Sequence, residues 1–217
     1  MELRRVVITG LGTVNPLGNS VEEYFTNLNN GVSGAGQITR FDASLFKTRF
    51  ACEVKDFNPT AFGIDRKEAR KMDRFSQFAA VAADQAVADS KLDLEKIDKK
   101  RVGVIVGSGI GGIETLSEEI MGYCEGGKVP RFNPFLIPKM MPDFIAGQIS
   151  IKYGFMGPNY ATVSACASSA HAMSNAFDMI RLNKADIIVT GGSEAGVTVA
   201  SVGGFNSAIS PSGVDVP

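Results

Sequence analysis

Three runs of apolar and β-branched residues recur along the chain. They span residues 4–10, 101–107 and 186–192, and each ends in glycine. Continuous hydrophobicity, in place of strict alternation, is typical of strands that are covered on both faces of a sheet. A shorter fourth strand is predicted over residues 160–164.

Apolar residues at helical spacing occupy the intervals between these strands. A capping box from Ser20 to Glu23 opens the first helix, which ends at Gly31. From Asp73, apolar residues recur three and four apart to about Ser90. Further helices are predicted up to about Tyr123, from a cap at Asp143 to Gly154, and over residues 167–183. The alternation of strands and helices predicts an α/β fold with a largely parallel sheet and helices on both of its faces.

Two stretches interrupt this pattern. Residues 32–65 are irregular but contain five phenylalanines, which could hold a long excursion against the body of the protein. The last residues, 210–217, are rich in turn formers and open no new element. We therefore predict one unit over residues 1–209 with an insertion around 32–65, followed by a divergent or truncated tail over 210–217.

Charge and composition exclude several classes of function. The 22 basic and 23 acidic residues balance, so we expect no strong positive electrostatic field of the kind that attracts nucleic acid. Three cysteines without metal-ligand spacing and a single histidine predict no metal site. Since the start lacks a signal-peptide core and no stretch reaches membrane-spanning length, a cytoplasmic protein without membrane contact is expected.

Cys166 is the most informative single residue. It lies where the strand over 160–164 turns into the helix over 167–183. The unpaired N–H groups and the dipole at a helix start favour a thiolate and can stabilise a developing oxyanion. The position therefore suits a catalytic nucleophile. From spacing alone, a small, inert cysteine buried at a tight junction remains an alternative.

A glycine-rich stretch follows the second strand. Residues 107–112 fit the Gly-x-Gly-x-x-Gly pattern of a dinucleotide-binding turn. Such a site also needs an acidic residue at the end of a further strand about twenty positions on, but Glu125 lies in a polar glycine loop. The pattern favours a turn that passes close to a core or a ligand, with a nucleotide-dependent oxidoreductase as an alternative.

Basic residues gather just before the helix that starts near Asp73. They are three and four apart, so a helix would place them on one side; they are Arg66, Lys67, Arg70, Lys71 and Arg74. The cluster is either a solvated face or a docking patch for an acidic partner. His171 follows Cys166 by five positions, or about 140° around a helix, so it is not expected to be the activating base.

Five stretches together resemble one family. RRVVITGLGTVNPLGN, RKEARKMDRFSQFA, VGSGIGG, SACASSAHA and DIIVTGGSEA occur in the order found in β-ketoacyl-(acyl-carrier-protein) synthases, above all the type II condensing enzymes of bacterial fatty-acid synthesis. The resemblance runs from residue 4 to about 209. It implies a thiolase-like fold, in which two similar halves form five αβαβα layers and two subunits form a homodimer. This chain resembles the N-terminal half, with a mixed, mostly parallel five-stranded sheet.

The resemblance also implies a reaction and its residues. Cys166 looks like the nucleophile that takes an acyl chain from acyl carrier protein as a thioester. Malonyl-carrier protein is then decarboxylated, and its carbanion attacks the thioester to give a 3-oxoacyl product. The resemblance implies that the acyl pocket includes Ile110, Phe135 and Leu136. It also implies that the carrier-docking face includes Lys67, Arg70 and Lys71. The resemblance implies no cofactor and no metal.

The chain departs from that family beyond the matched stretches. Members carry a second half that supplies two histidines, a lysine and a Gly-Phe-Gly segment of the oxyanion hole, and none has a counterpart here. We therefore expect the 217-residue chain alone to be inactive in condensation, although Cys166 could still be acylated slowly. A non-catalytic carrier-binding or dimerisation module is the alternative, because the histidines are missing although the cysteine is present.

Overall fold

The computed structural model describes residues 3–208. Its elements in chain order are α1 (Val21–Asn29), β1 (Ala35–Gln37), β2 (Phe50–Cys52), α2 (Arg66–Arg70), α3 (Arg74–Asp89), β3 (Val102–Gly107), α4 (Ile113–Glu125), α5 (Leu136–Met140), α6 (Phe144–Tyr153), β4 (Asn159–Thr162), α7 (Ser168–Arg181), β5 (Ile187–Gly192) and α8 (Val199–Ala208). No helix within this described range is both long and apolar enough to cross a membrane. Residue 209 and the proposed tail over 210–217 lie outside the described residues.

The central sheet has three parallel strands in the order β4–β3–β5. Strand β3 lies in the middle, and all six of its residues are buried, as its uninterrupted apolar run predicts. The strands expected at 101–107, 160–164 and 186–192 are therefore confirmed, with small differences at their ends.

Helices cover both faces of this sheet. On one face, α3 and α6 close over β3 in a cluster of Phe75, Val102, Val104, Val106, Ile145, Ala146 and Ile149. On the opposite face, Ile105 packs against Ala172 and Ala176 of α7. Because successive strand residues point to opposite sides, one buried strand serves both cores, and the predicted α/β layering is confirmed.

The helix boundaries show which sequence signals were reliable. The Ser20 hydroxyl accepts a hydrogen bond from the Glu23 N–H at 3.2 Å, and the Asp73 carboxylate caps α3 through the Phe75 N–H at 3.2 Å. Helix α6 ends at Gly154, whose φ of +72° is left-handed. Asp143 occupies the N-cap position of α6 as predicted, but its side chain makes no capping hydrogen bond.

The strand predicted over residues 4–10 is also wrong. These residues form no strand, and Val7 and Ile8 are 58% and 84% exposed. Both edges of β3 are already occupied by β4 and β5, and residues 4–10 join no outer edge. The described residues thus contain three of the five sheet strands that the family resemblance implies. An apolar run predicts extended backbone that must be covered, but not the edge with which it pairs.

Aromatic rings provide one attachment of the excursion over residues 32–65 to the body of the protein. Phe57 stacks on Phe62 and meets Phe78 of α3 edge-on, with centroids 5.7 and 4.8 Å apart. Within the excursion, β1 and β2 form a separate antiparallel pair. Phe50 on β2 is half exposed, so only part of the predicted phenylalanine set holds the excursion to the body.

An ion-pair network joins the N-terminal segment to the start of β5. Asp186 accepts hydrogen bonds from Arg101 Nε at 2.7 Å and from Arg4 Nη1 at 2.6 Å. Arg101 first, and Arg4 second, lower the pKa of Asp186 to about 2. The network is solvent-exposed, so its contribution to stability is modest.

We expect Asp186→Asn to lower the free energy of unfolding by about 1 kcal/mol at most at neutral pH, because exposed pairs are screened by water. The folded-state pKa is depressed, so this contribution is present above the ordinary carboxyl pKa and is lost as pH falls towards 2. Urea unfolding at pH 7 and pH 3 measures the difference. A deficit that is as large at pH 3 as at pH 7 would contradict the assignment.

Candidate functional site

Cys166 lies on the surface at the junction of β4 and α7. Strand β4 ends at Thr162, a 3-10 turn covers Ala165–Ala167, and α7 begins at Ser168. The cysteine is exposed, which excludes the alternative of an inert buried residue. Ala165, immediately before it, has a φ of +49°, a conformation that a non-glycine residue adopts only when its surroundings enforce it.

Ser168 holds this elbow in shape. Its hydroxyl accepts a hydrogen bond from the Ser164 N–H at 2.8 Å and donates to the Ala165 carbonyl at 2.7 Å. The Thr162 hydroxyl in turn donates to the Ser168 carbonyl at 2.7 Å. These three hydrogen bonds connect residues within the segment 162–168, and Ser168 takes part in all of them. The first turn of α7 therefore fixes the position of the cysteine.

Backbone N–H groups at the elbow differ in their availability. The Ala167 N–H donates to the Ser164 carbonyl at 3.0 Å. Within the described part of the chain, the Cys166 N–H makes no hydrogen bond. An unpaired N–H beside the sulfur is the donor that a tetrahedral oxyanion on an acyl group would need.

His171 is turned towards Ser164. Its Nδ1 lies 2.6 Å from the Ser164 hydroxyl oxygen, within hydrogen-bond distance. This contact holds the imidazole against the residue two positions before the cysteine. The geometry agrees with the expectation that His171 does not activate Cys166 directly, and it shows a role in the elbow that spacing alone did not suggest.

Two glycines let α7 approach the strands. A methyl group added at Gly107 would lie 2.4 Å from the Ser168 carbonyl carbon, and one at Gly192 would lie 2.5 Å from the Ser169 Cβ. Both distances are far shorter than a van der Waals contact. The ends of β3 and β5 therefore carry glycine because the start of the cysteine helix rests directly on them.

The glycine-rich turn after β3 is filled by the protein itself. Glu194 Oε2 accepts hydrogen bonds from the N–H groups of Gly109 and Ile110 at 2.7 and 2.9 Å. Two adjacent N–H groups pointing at one anion form a nest, which in nucleotide-binding proteins holds a phosphate. Here a side-chain carboxylate takes that place, which argues against the dinucleotide interpretation and for a turn packed close to the core.

The three acyl-pocket candidates are not all in one place. Ile110 is 43% exposed and lies in the turn whose Gly109 abuts Ala165. Phe135 instead lies beside the basic cluster, with the Lys71 Nζ 5.8 Å from its ring centre. Leu136 begins α5, the C-terminal end of which packs against Gly111 and Gly112. Of the three, only Ile110 is brought near the cysteine elbow.

Three of the basic residues line a surface groove. Lys67, Arg70 and Lys71 line it from α2 and its cap, together with Glu119 of α4 and residues 131–135, which include Arg131, Phe132 and Phe135. Arg74 separates from this group, because α2 ends at Arg70 and Arg74 starts α3. Its guanidinium lies over the Phe78 ring at 5.0 Å, and burial is the main cause that lowers its pKa.

The remaining cysteines lack an elbow. Cys52 lies on β2 and Cys124 lies in α4, and both are exposed. Neither is positioned at a strand-to-helix junction, which sets Cys166 apart by geometry and not by exposure. No cluster of residues suited to binding a metal ion occurs in the part of the chain that the structure describes.

Sequence reasoning did not identify three residues of the elbow region. Ser164 and Ser168 are ordinary small residues in the sequence, and their hydrogen bonds depend on the sharp turn between β4 and α7. Glu194 lies 85 positions from Gly109, so no local spacing connects them. The only available signal was that the glycine turn lacked an acidic partner of its own.

Comparison with protein families gives one match over nearly the whole chain. Residues 3–212 match the family described as "Beta-ketoacyl synthase, N-terminal domain". The 3-oxoacyl-(acyl-carrier-protein) synthase 2 of Synechocystis sp. is 43% identical over 208 residues, which are 96% of this chain and 50% of that protein. The chain spans about half the length of the curated relatives that it matches.

Solved structures show the same half-length relation. The ishigamide ketosynthase/chain length factor superposes with a TM-score of 0.86 at 30% identity, over 95% of this chain and 51% of the other. A type II polyketide acyl carrier protein in complex with its hexaketide-bound ketosynthase gives a TM-score of 0.79 at 25% identity, over 94% and 54%. The likeness supports a thiolase-like ketosynthase fold for these residues.

Proposed function

Since the chain belongs to the β-ketoacyl synthase family and corresponds to its N-terminal domain, we propose that it is the nucleophile-bearing half of a 3-oxoacyl-(acyl-carrier-protein) synthase. The whole enzyme would extend acyl chains by decarboxylative condensation. The observation that most strongly supports this proposal is the elbow, where an exposed cysteine precedes α7 and has an unpaired backbone N–H. Condensation is the activity that would use both features: the elbow would hold the acyl chain, and the basic groove would bind the carrier protein.

The elbow supports acyl transfer to sulfur. The thiolate of Cys166 attacks the thioester carbonyl of an acyl-carrier protein and forms a tetrahedral oxyanion. The carbonyl then re-forms as the bond to the carrier's sulfur breaks, leaving the acyl chain on Cys166 and a thiolate on the carrier, which takes a proton from solvent to become the free thiol. The unpaired N–H of Cys166 supports this step, because it would donate a hydrogen bond to the oxyanion.

The second half-reaction needs groups that these residues do not supply. Loss of carbon dioxide from malonyl-carrier protein leaves a carbanion that attacks the Cys166 thioester, and donors must stabilise the developing enolate. The sequence has one histidine, and it is hydrogen-bonded to Ser164. We therefore propose that condensation takes place only when this half is joined to further residues of a complete synthase.

The groove supports docking of a carrier protein. Acyl carrier protein is acidic in the family that the chain resembles, and the groove combines four cations and one acid, Glu119, with the partly exposed rings of Phe132 and Phe135. Complementary charge steers such encounters and sets their orientation. We propose Lys67, Arg70 and Lys71 as the charged rim of this docking surface.

Reversing the three rim charges is expected to weaken carrier binding. The triple change Lys67→Glu, Arg70→Glu and Lys71→Glu should raise the Kd for acyl carrier protein about tenfold or more at low salt. The matched control reverses three distant exposed lysines, Lys96, Lys100 and Lys184, and should change the Kd little. Fluorescence anisotropy at low and high salt measures both; equal losses in the two variants would show a general charge effect and contradict the docking assignment.

Further expectations belong to the same proposal. We propose a cytoplasmic homodimer without nucleic-acid or membrane partners. Met173 and Phe177 on α7 are 49% and 44% exposed, and Val163 beside the elbow is 62% exposed. A group of exposed apolar side chains next to a reactive centre supports coverage by another protein surface.

Acyl-group capture tests the proposal directly. The 217-residue chain is incubated with an acyl-carrier protein, and tryptic peptides are examined by mass spectrometry. The expected result is an acyl adduct on the peptide that contains Cys166 and none on those that contain Cys52 or Cys124. If carrier protein binds without any adduct forming, the non-catalytic module is favoured instead.

A further inference from the structure

Glu194 ties together two distant parts of the chain. It follows the end of β5 by two positions, and its side chain is largely exposed. Even so, its Oε2 atom accepts hydrogen bonds from two N–H groups of the glycine turn, and the Ser108 hydroxyl lies 3.4 Å away. An internal anion that satisfies a nest fixes the conformation of the turn around it.

The turn that Glu194 holds lies close to the residue before Cys166. A methyl group added at Gly109 would lie 3.4 Å from both the Cα and the carbonyl oxygen of Ala165. Ala165 is the residue with a φ of +49°, a conformation that a non-glycine residue keeps only when neighbours enforce it. The backbone of the glycine turn is one of those neighbours, and Ser168 is another.

We propose that Glu194 is a positioning residue for Cys166. By closing the glycine turn, it keeps Gly109 against Ala165, holds Ala165 in its left-handed conformation, and so keeps the sulfur at the start of α7. The proposal deepens the proposed function, since it assigns a residue that presents the nucleophile. The effect passes through Gly109 and Ala165, without Glu194 touching the reacting atoms.

Alkylation of the three cysteines tests this role without requiring catalysis. Iodoacetamide is added to the 217-residue chain, and peptide mapping gives the rate at each cysteine. Cys166 is already exposed, so looser packing cannot make its sulfur much more accessible to the reagent. Looser packing does, however, move the sulfur out of alignment with the start of α7. We expect Glu194→Ala to slow the alkylation of Cys166 about tenfold relative to that of Cys52 and Cys124, a smaller loss than the roughly 10²-fold that a 1 Å displacement of a reactive group can cause.

Two variants separate positioning from general destabilisation. Glu194→Gln keeps an oxygen that can accept from both N–H groups, so it should restore most of the Cys166 rate. Glu95→Ala removes an exposed acid elsewhere and should leave all three rates unchanged. If Glu194→Gln is as slow as Glu194→Ala, the loss does not come from the hydrogen bonds to the turn, and the proposal is overturned.

Hydrogen exchange follows the route from the turn to the elbow. In Glu194→Ala, peptides covering residues 107–112 and 163–168 should both exchange faster, whereas the buried strand β3 should keep its protection. Faster exchange in the first peptide alone, with an unchanged Cys166 rate, would show that Glu194 only braces the turn and would refute the proposal. Absence of acyl transfer in the unmodified chain would count against the proposed function, while alkylation and exchange would still decide the positioning role.

Discussion

Replacing Cys166 with alanine is expected to abolish acyl transfer to this chain. The variant loses the only group in the elbow that can form a thioester, so the rate of adduct formation should fall by at least about 10⁴-fold. A time course of intact mass with an acyl-carrier protein as donor measures the loss. Carrier affinity should remain, because the basic groove belongs to α2 and the segment before α5.

Cys124→Ala is the matched control for that experiment. Cys124 is exposed like Cys166 but lies within α4, away from any strand-to-helix turn. Its removal should leave acylation unchanged. An adduct that persists in Cys166→Ala and disappears in Cys124→Ala would move the nucleophile to α4 and overturn the assignment of the elbow.

The second large effect is expected at Gly107. In Gly107→Ala, the new methyl group would lie 2.4 and 2.6 Å from the Ser168 carbonyl carbon and the Ser169 nitrogen. These are backbone atoms, so no side-chain rotation can relieve the overlap, and the first turn of α7 must move. Overpacking of this kind costs about 3 kcal/mol. Thermal or urea unfolding measures the loss, and the Cys166 alkylation rate should fall with it.

Gly122 offers the opposite result from the same chemical change. It lies inside α4, and a methyl group added there meets no atom within 4 Å. Gly122→Ala should therefore stabilise the protein by about 0.5–1 kcal/mol, since alanine favours helix more than glycine does. If both variants shift stability in the same direction, the contact between β3 and α7 is not what makes Gly107 necessary.

Local signals predicted much of this fold because their causes are local. The Ser20 capping box, the Asp73 cap and the left-handed Gly154 each depend on neighbouring backbone atoms. The continuous apolar run of β3 likewise results from burial on both faces. The position of Cys166 between β4 and α7 was predictable for the same reason, since a strand signal and a helix signal meet there.

The features that the sequence did not predict depend on distant partners. Residues 4–10 have a strand composition, but they pair neither with β3, whose two edges hold β4 and β5, nor with the outer edges of those two strands. Glu194 gave no signal, because the N–H groups that it binds lie 85 positions away. Phe135 was assigned to the acyl pocket, and its ring lies 5.8 Å from the Lys71 Nζ at the basic groove. Its role in substrate binding therefore stays a prediction.

The parallel order β4–β3–β5 has a consequence for biosynthesis. Parallel neighbours cannot be joined by a hairpin, and both partners of β3 come later in the chain. During translation, the buried central strand therefore leaves the ribosome before its partners, and one of its edges stays unpaired until Ile187–Gly192 is made. Contacts so far apart in sequence form slowly, and exposed strands of this kind aggregate. Nascent chains that stop before β5 are thus the species most in need of chaperone binding.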